Sequence, residues 1–116
     1  MNNEIRMSQN RHYKTGIVIY DDEEHYYLRN GESLIFGIKR FAYNTDYIIR
    51  RELTQDNYND EADAYVLELS TEETNIDTGS YFYDVALKKS SGELEMIIPC
   101  TSLEICRSVV RSDDIC

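Results

Sequence analysis

Four successive carboxylates, Asp21-Asp22-Glu23-Glu24, offer oxygen ligands to a hard cation. Such a cation needs oxygens converging from several positions, which four neighbours on one turn do not supply. A solvated loop is therefore expected there. Thr54 to Asp63 spaces Asp and Asn loosely as a calcium loop does, but lacks the glycine at the sixth position and the glutamate at the twelfth. It reads as a polar loop. The two histidines, His12 and His25, sit among polar or tyrosine-rich neighbours. The enzymatic arrangement to weigh is His25 working with the carboxylates of Asp21 to Glu24. A Ser-His-Asp site, however, needs a histidine buried against a carboxylate with a serine in reach. No nucleophile elbow and no cysteine paired to a histidine is present. The three cysteines, Cys100, Cys106 and Cys116, are odd in number and lack paired spacing. That argues against a disulfide framework and, with no C-x-x-C, against zinc. Reduced thiols made in a bacterial cytoplasm are the simplest expectation. The five glycines are scattered at turns and cradle no phosphate. No catalytic residue, cofactor or metal is expected.

The 116 residues make one domain, long enough to bury a core without staples. Hydrophobic residues at 41% are close to a globular composition, so global disorder is disfavoured. Twenty-two acidic against 12 basic residues give a net charge of −10. That field repels phosphate backbones, so nucleic acid is not an expected partner. It more simply keeps a protein soluble. No apolar run approaches the roughly 18 residues of a membrane span. Met1 to Gln9 is polar and reads as no signal peptide.

The elements that position these residues are strands. Asp77-Thr78-Gly79 closes a turn, where glycine takes a positive φ without steric cost. After it Tyr81, Tyr83, Val85 and Leu87 share one face, and Ser80, Phe82, Asp84, Ala86 and Lys88 the other. That is a half-buried antiparallel strand. Similar alternation marks Ser33 to Phe41, Tyr47 to Leu53, Ala64 to Leu69, Glu93 to Ile98 and Thr101 to Val110. Gly37 inside its strand signals a bulge or a close approach. Pro99 marks a strand end or bulge, since it donates no ladder bond. Asn30-Gly31 and Ser90-Ser91-Gly92 are turns. Ser70 and Glu73 have the spacing of a capping box for a helical turn. Ten tyrosines and a single proline suit a sheet-rich chain. The tyrosines read as cross-strand pairs and half-buried core, or as a platform for a glycan or peptide.

Seven or eight short strands spaced near ten residues, with no long amphipathic helix, predict an all-β fold. The expected architecture is an antiparallel β-sandwich of immunoglobulin-like type. Residues 1–15 are expected as a polar arm, in which Ile5 and Met7 can form a short edge strand. Residues 16–110 are the sandwich, and 111–116 a loose tail. The expected core is Leu34, Phe36, Ile38, Ile49, Val66 or Leu67, Tyr81, Tyr83, Val85, Leu87, Leu94, Met96, Ile98 and Leu103. Ile17, Val18, Ile19 and Tyr20 form a continuous apolar strand, expected to be buried on both faces or to make a subunit contact. They are the candidate interface.

From about Tyr26 to Val110 the chain resembles the small immunoglobulin-like domains of phage tail and baseplate proteins, of the type at the N-terminus of the baseplate upper protein. The resemblance lies in Arg29-Asn30-Gly31-Glu32-Ser33-Leu34-Ile35-Phe36-Gly37-Ile38, in Tyr65-Val66-Leu67-Glu68-Leu69-Ser70-Thr71-Glu72-Glu73-Thr74, and in Thr78-Gly79-Ser80-Tyr81-Phe82-Tyr83-Asp84-Val85. A glycine hairpin and a final paired strand follow. The family often has an Arg-Gly-Asp-like turn where this chain has Arg29 to Glu32, and a shorter loop than Thr54 to Asp63. The resemblance implies a structural role in a virion tail or baseplate, with the protein itself or other virion structural proteins as partners and no catalytic residues.

Overall fold

A computed structural model describes residues 4–41 and 46–107. The chain is all-β. Among the described residues ten strands follow in order: β1 Ile5–Ser8, β2 Tyr13–Ile17, β3 Ile19–Asp21, β4 Glu24–Tyr26, β5 Ser33–Lys39, β6 Ile49–Leu53, β7 Tyr58–Asn59, β8 Ala64–Leu69, β9 Gly79–Lys88 and β10 Leu94–Cys106. A 3-10 turn, Gln55–Asn57, lies between β6 and β7. The strands form a five-stranded sheet in the order β1-β10-β9-β5-β6, a three-stranded sheet β2-β8-β7 and the hairpin β3-β4. No helix among the described residues is long and apolar enough to cross a membrane.

β9 is the centre of the large sheet. Its inner residues Tyr81, Tyr83, Val85 and Leu87 are all buried, as their period-two spacing requires. Gly79 opens it with φ 137. β5 beside it presents Leu34, Phe36 and Ile38 to the core, in register with Leu87, Val85 and Tyr83. From the smaller sheets come Ile17, Ile19, Tyr65, Leu67 and Leu69, and all of these side chains join one buried cluster. Close approach, rather than a bulge, explains Gly37. A Cβ there would collide with the ring of Tyr47, which lies across the outer face and donates from its hydroxyl to Asp84 at 3.1 Å.

Polar ties hold the connections. Ser70 and Glu73 exchange the two hydrogen bonds of a capping box, at 2.9 and 3.2 Å, around a turn. Thr74 ends that turn fully buried, accepting from the Arg11 amide at 3.0 Å and donating to the Arg11 carbonyl at 2.7 Å. Tyr65 accepts from the buried Leu28 amide at 2.6 Å.

Several sequence expectations are corrected. Residues 4–15 are not an arm. The edge strand at Ile5 and Met7 exists as β1, and Met7 is buried. It pairs with β10 in parallel, so the large sheet is mixed rather than antiparallel throughout. The stretch expected as one strand from Gly16 to Tyr20 divides at Val18, with β2 joining β8 and β3 joining β4. The two strands expected on either side of Pro99 are one, β10, whose register with β9 shifts between Met96 and Ile98 and again between Ile98 and Thr101. The first shift reverses the faces. Leu94 and Met96, expected in the core, are therefore exposed, and Ile98 is half-buried. The loop from Thr54 to Asp63 contains the 3-10 turn and β7. Cys106 is disulfide-bonded, not a reduced thiol, whereas Cys100 is free and exposed. The expected tail, 111–116, lies outside the described residues.

Candidate interaction surface

The four residues expected to form an interface divide two and two. Ile17 and Ile19 point into the core, whereas Val18 and Tyr20 are exposed. Period-two alternation continues across the break at Val18, so neighbours face opposite ways. Val18 and Tyr20 line one side of a groove of about 680 Å³, together with Tyr13, and Ile97 and Ile98 of β10 line it as well.

That groove runs beside an incomplete sheet edge. β1 covers β10 only from Leu103 to Cys106. From Leu94 to Pro99, β10 has β9 on one side and no strand on the other among the described residues. Hydrogen-bond geometry identifies the groups this leaves open. The Lys89 amide donates to the Glu93 carbonyl at 2.8 Å in the hairpin. Bonded and non-bonded pairs alternate along an antiparallel ladder, so Leu87 and Glu95 form the next bonded pair. The backbone groups of Leu94 and Met96 then point away from β9, toward the open edge. Pro99, with no N–H to offer, limits the edge at its far end.

Above the groove stands the β3-β4 hairpin, whose two-residue turn is Asp22-Glu23. Both residues are left-handed, with φ 51 and 70, where Asn-Gly is the usual choice. Holding non-glycine residues there costs roughly 1–2 kcal/mol each. The turn displays Asp21, Asp22, Glu23 and Glu24, all exposed and in no ion pair among the described residues. No group of three metal-ligating side chains occurs among the described residues.

His25 does not join those carboxylates. Its Nδ1 lies 3.3 Å from Asp63 Oδ2, and its Nε2 is buried without a hydrogen-bond partner. Asp63 Oδ1 also accepts from Tyr58 and, at 3.1 Å, from Tyr27. The Tyr58 hydroxyl in particular holds the Asp63 carboxyl below the usual range, and the same bond pushes the Tyr58 phenol up. His12 is 2.9 Å from Glu68 on the exposed face of β2 and β8. Sequence reasoning missed Asp63 as the partner of His25, since the two lie far apart in the chain and no local pattern links them.

The depressed Asp63 carboxyl has a pH consequence. Its ionised form is favoured in the folded state, so it contributes stability above the ordinary carboxyl range that is lost as pH falls through the folded value. The wild-type urea midpoint is expected to drop more steeply than that of Asp63→Asn on acidification from about pH 5 to pH 2. Parallel profiles would count against a structural role for this carboxylate.

No protein-family model, curated protein or solved structure matches the chain.

Proposed function

We propose that this protein is a non-catalytic docking module, a β-sandwich of immunoglobulin-like build that assembles onto larger structural proteins. The open half of the β10 edge beside an apolar groove carries this reading, because an unpaired edge is a template for another strand. The sandwich reading draws on side chains from separate sheets meeting in one core. It also draws on Tyr81, near the start of β9, which donates to the Asp77 carbonyl four residues back at 2.6 Å. That bond resembles the tyrosine corner of immunoglobulin-like domains. The setting proposed is a phage or prophage tail or baseplate, which rests on the resemblance of the strand and turn segments to that family. Sedimentation of native extracts tests the assembly. The protein should travel in particles far heavier than its 13.6 kDa chain, and recovery solely as a free monomer would overturn the reading.

A second reading is a tyrosine-rich binding module for glycan or peptide. Exposed Tyr20 and Tyr27 flank the His25 ring with centroids 6.1 and 4.1 Å from it, which makes a stacking platform. Selective glycan-array binding that disappears in Tyr27→Ala would favour it.

A further inference from the structure

The open edge of β10 has a shape and a charge that describe its occupant. An extended strand can take up the outward backbone groups of Leu94 and Met96 in a continued ladder. Such a strand would lie end to end with β1 in the same row of the sheet, since β1 takes up this edge of β10 from Leu103 onward. Side chains alternate along it. One set would face the groove formed by Val18, Tyr20, Ile97 and Ile98. The other set would lie beside Leu94 and Met96, which are 61% and 56% exposed although apolar. Both faces of the incoming strand therefore meet apolar surface.

The rim is acidic. Asp21 and Glu95 line the adjoining cavity, which Tyr20 and Ile97 share with the groove. Of the nearby cations, Lys89 pairs with Glu95 at 3.5 Å, Arg6 pairs with Glu104 at 3.6 Å and Arg29 lies over the Tyr26 ring at 5.8 Å, while the exposed Lys88, opposite Leu94, sets a single positive charge against the four carboxylates of Asp21 to Glu24. The hairpin tip adds Asp22, Glu23 and Glu24, which are in no ion pair among the described residues. A second copy of the chain, at net charge −10, would meet this rim with like charge.

We infer that the Leu94-to-Pro99 edge of β10 takes a partner's extended apolar strand flanked by lysine or arginine, by strand addition. This inference rests on the docking reading and specifies its partner.

Two nine-residue peptides test it on the full chain: Lys-Lys-Val-Thr-Val-Thr-Val-Lys-Lys and the same core flanked by glutamates. Titration followed by amide chemical shifts should move residues 94–98, Val18 and Tyr20. The lysine peptide is expected to bind about tenfold more tightly than the glutamate peptide, and its advantage should shrink in 1 M salt. Amide exchange at Leu94 and Met96 should slow in the complex. Tyr20→Ala, at a 67% exposed position, should weaken binding with an unchanged circular dichroism spectrum. Equal binding of both peptides, or shifts confined to other strands, would overturn the inference. So would protection of the same amides by concentration-dependent dimerisation without peptide. Heavy particles in native extracts with no peptide response at β10 would remove this inference and leave the docking reading standing. A free monomer in extracts that still prefers the lysine peptide at β10 would do the reverse.

Discussion

Removal of residues 1–20 is expected to unfold the protein. The segment contains β1, β2 and the start of β3, and three of its side chains, Met7, Ile17 and Ile19, are buried to 3%, 7% and 1% exposure. Fully burying one aliphatic side chain is worth roughly 1.5–3 kcal/mol. Three together approach the whole stability of a typical domain, about 5–15 kcal/mol. The losses do not stop at transfer from water. β8 loses its ladder with β2 from Tyr65 to Leu69, and β10 loses β1 from Leu103 to Cys106. The buried Thr74 hydroxyl loses both bonds to the Arg11 backbone and keeps only the longer one to the Thr71 carbonyl at 3.3 Å, and each lost bond is worth about 0.5–1.5 kcal/mol. The truncated chain should show no cooperative urea transition and a disordered far-ultraviolet spectrum. A truncated protein that still unfolds cooperatively would mean that β1 to β3 are accessory rather than core. An assembly role for the N-terminus would then have to be tested with side chains on its surface, Val18 and Tyr20, which can be changed without opening the core.

The parts of this fold legible in the sequence are those in which a local rule decides. In β9 four apolar residues alternate without interruption after a glycine corner, so strand, phase and turn all follow from neighbours in the chain. The Lys89–Glu93 hairpin and the Ser70–Glu73 capping box are equally local. What was not legible depends on residues far apart. β1 has only Ile5 and Met7 to show, among Glu4, Arg6 and Ser8, and its parallel partner lies at the other end of the chain. Alternation in β10 identified which residues share a face, but not the register shift after Met96 that changes which face is inward. Pro99 suggested a break because a central strand rejects proline, yet here it lies beside an open edge where no ladder bond is lost. Half of the candidate surface was visible for the same reason. Apolar character singled out Ile17 to Tyr20, while only the meeting of β2, β3 and β10 separates the core pair Ile17 and Ile19 from the exposed pair Val18 and Tyr20.

Tyr83→Ala is expected to cost roughly 3–5 kcal/mol, the range for truncating a buried aromatic. Tyr83 is 3% exposed and sits between Ile38 of β5 and Thr101 of β10 in the ladder. Its ring lies 5.6 Å from that of Phe36, within the distance at which aromatic pairs add to simple burial. The surrounding β-strands are tied by backbone ladders on both sides of β9, so collapse into the vacated volume is restricted and a cavity remains. Met96→Ala supplies the contrast. Met96 is larger than the alanine replacing it, but it is 56% exposed, and its loss should fall within about 0.5 kcal/mol. The two measurements, made from urea transitions under one set of conditions, separate the inward face of β9 from the outward face of β10. A Tyr83→Ala loss below about 1 kcal/mol would move β9 out of the centre of the sheet. A large Met96→Ala loss in the isolated protein would mean that the open edge is already covered, and strand addition there would have no room to occur.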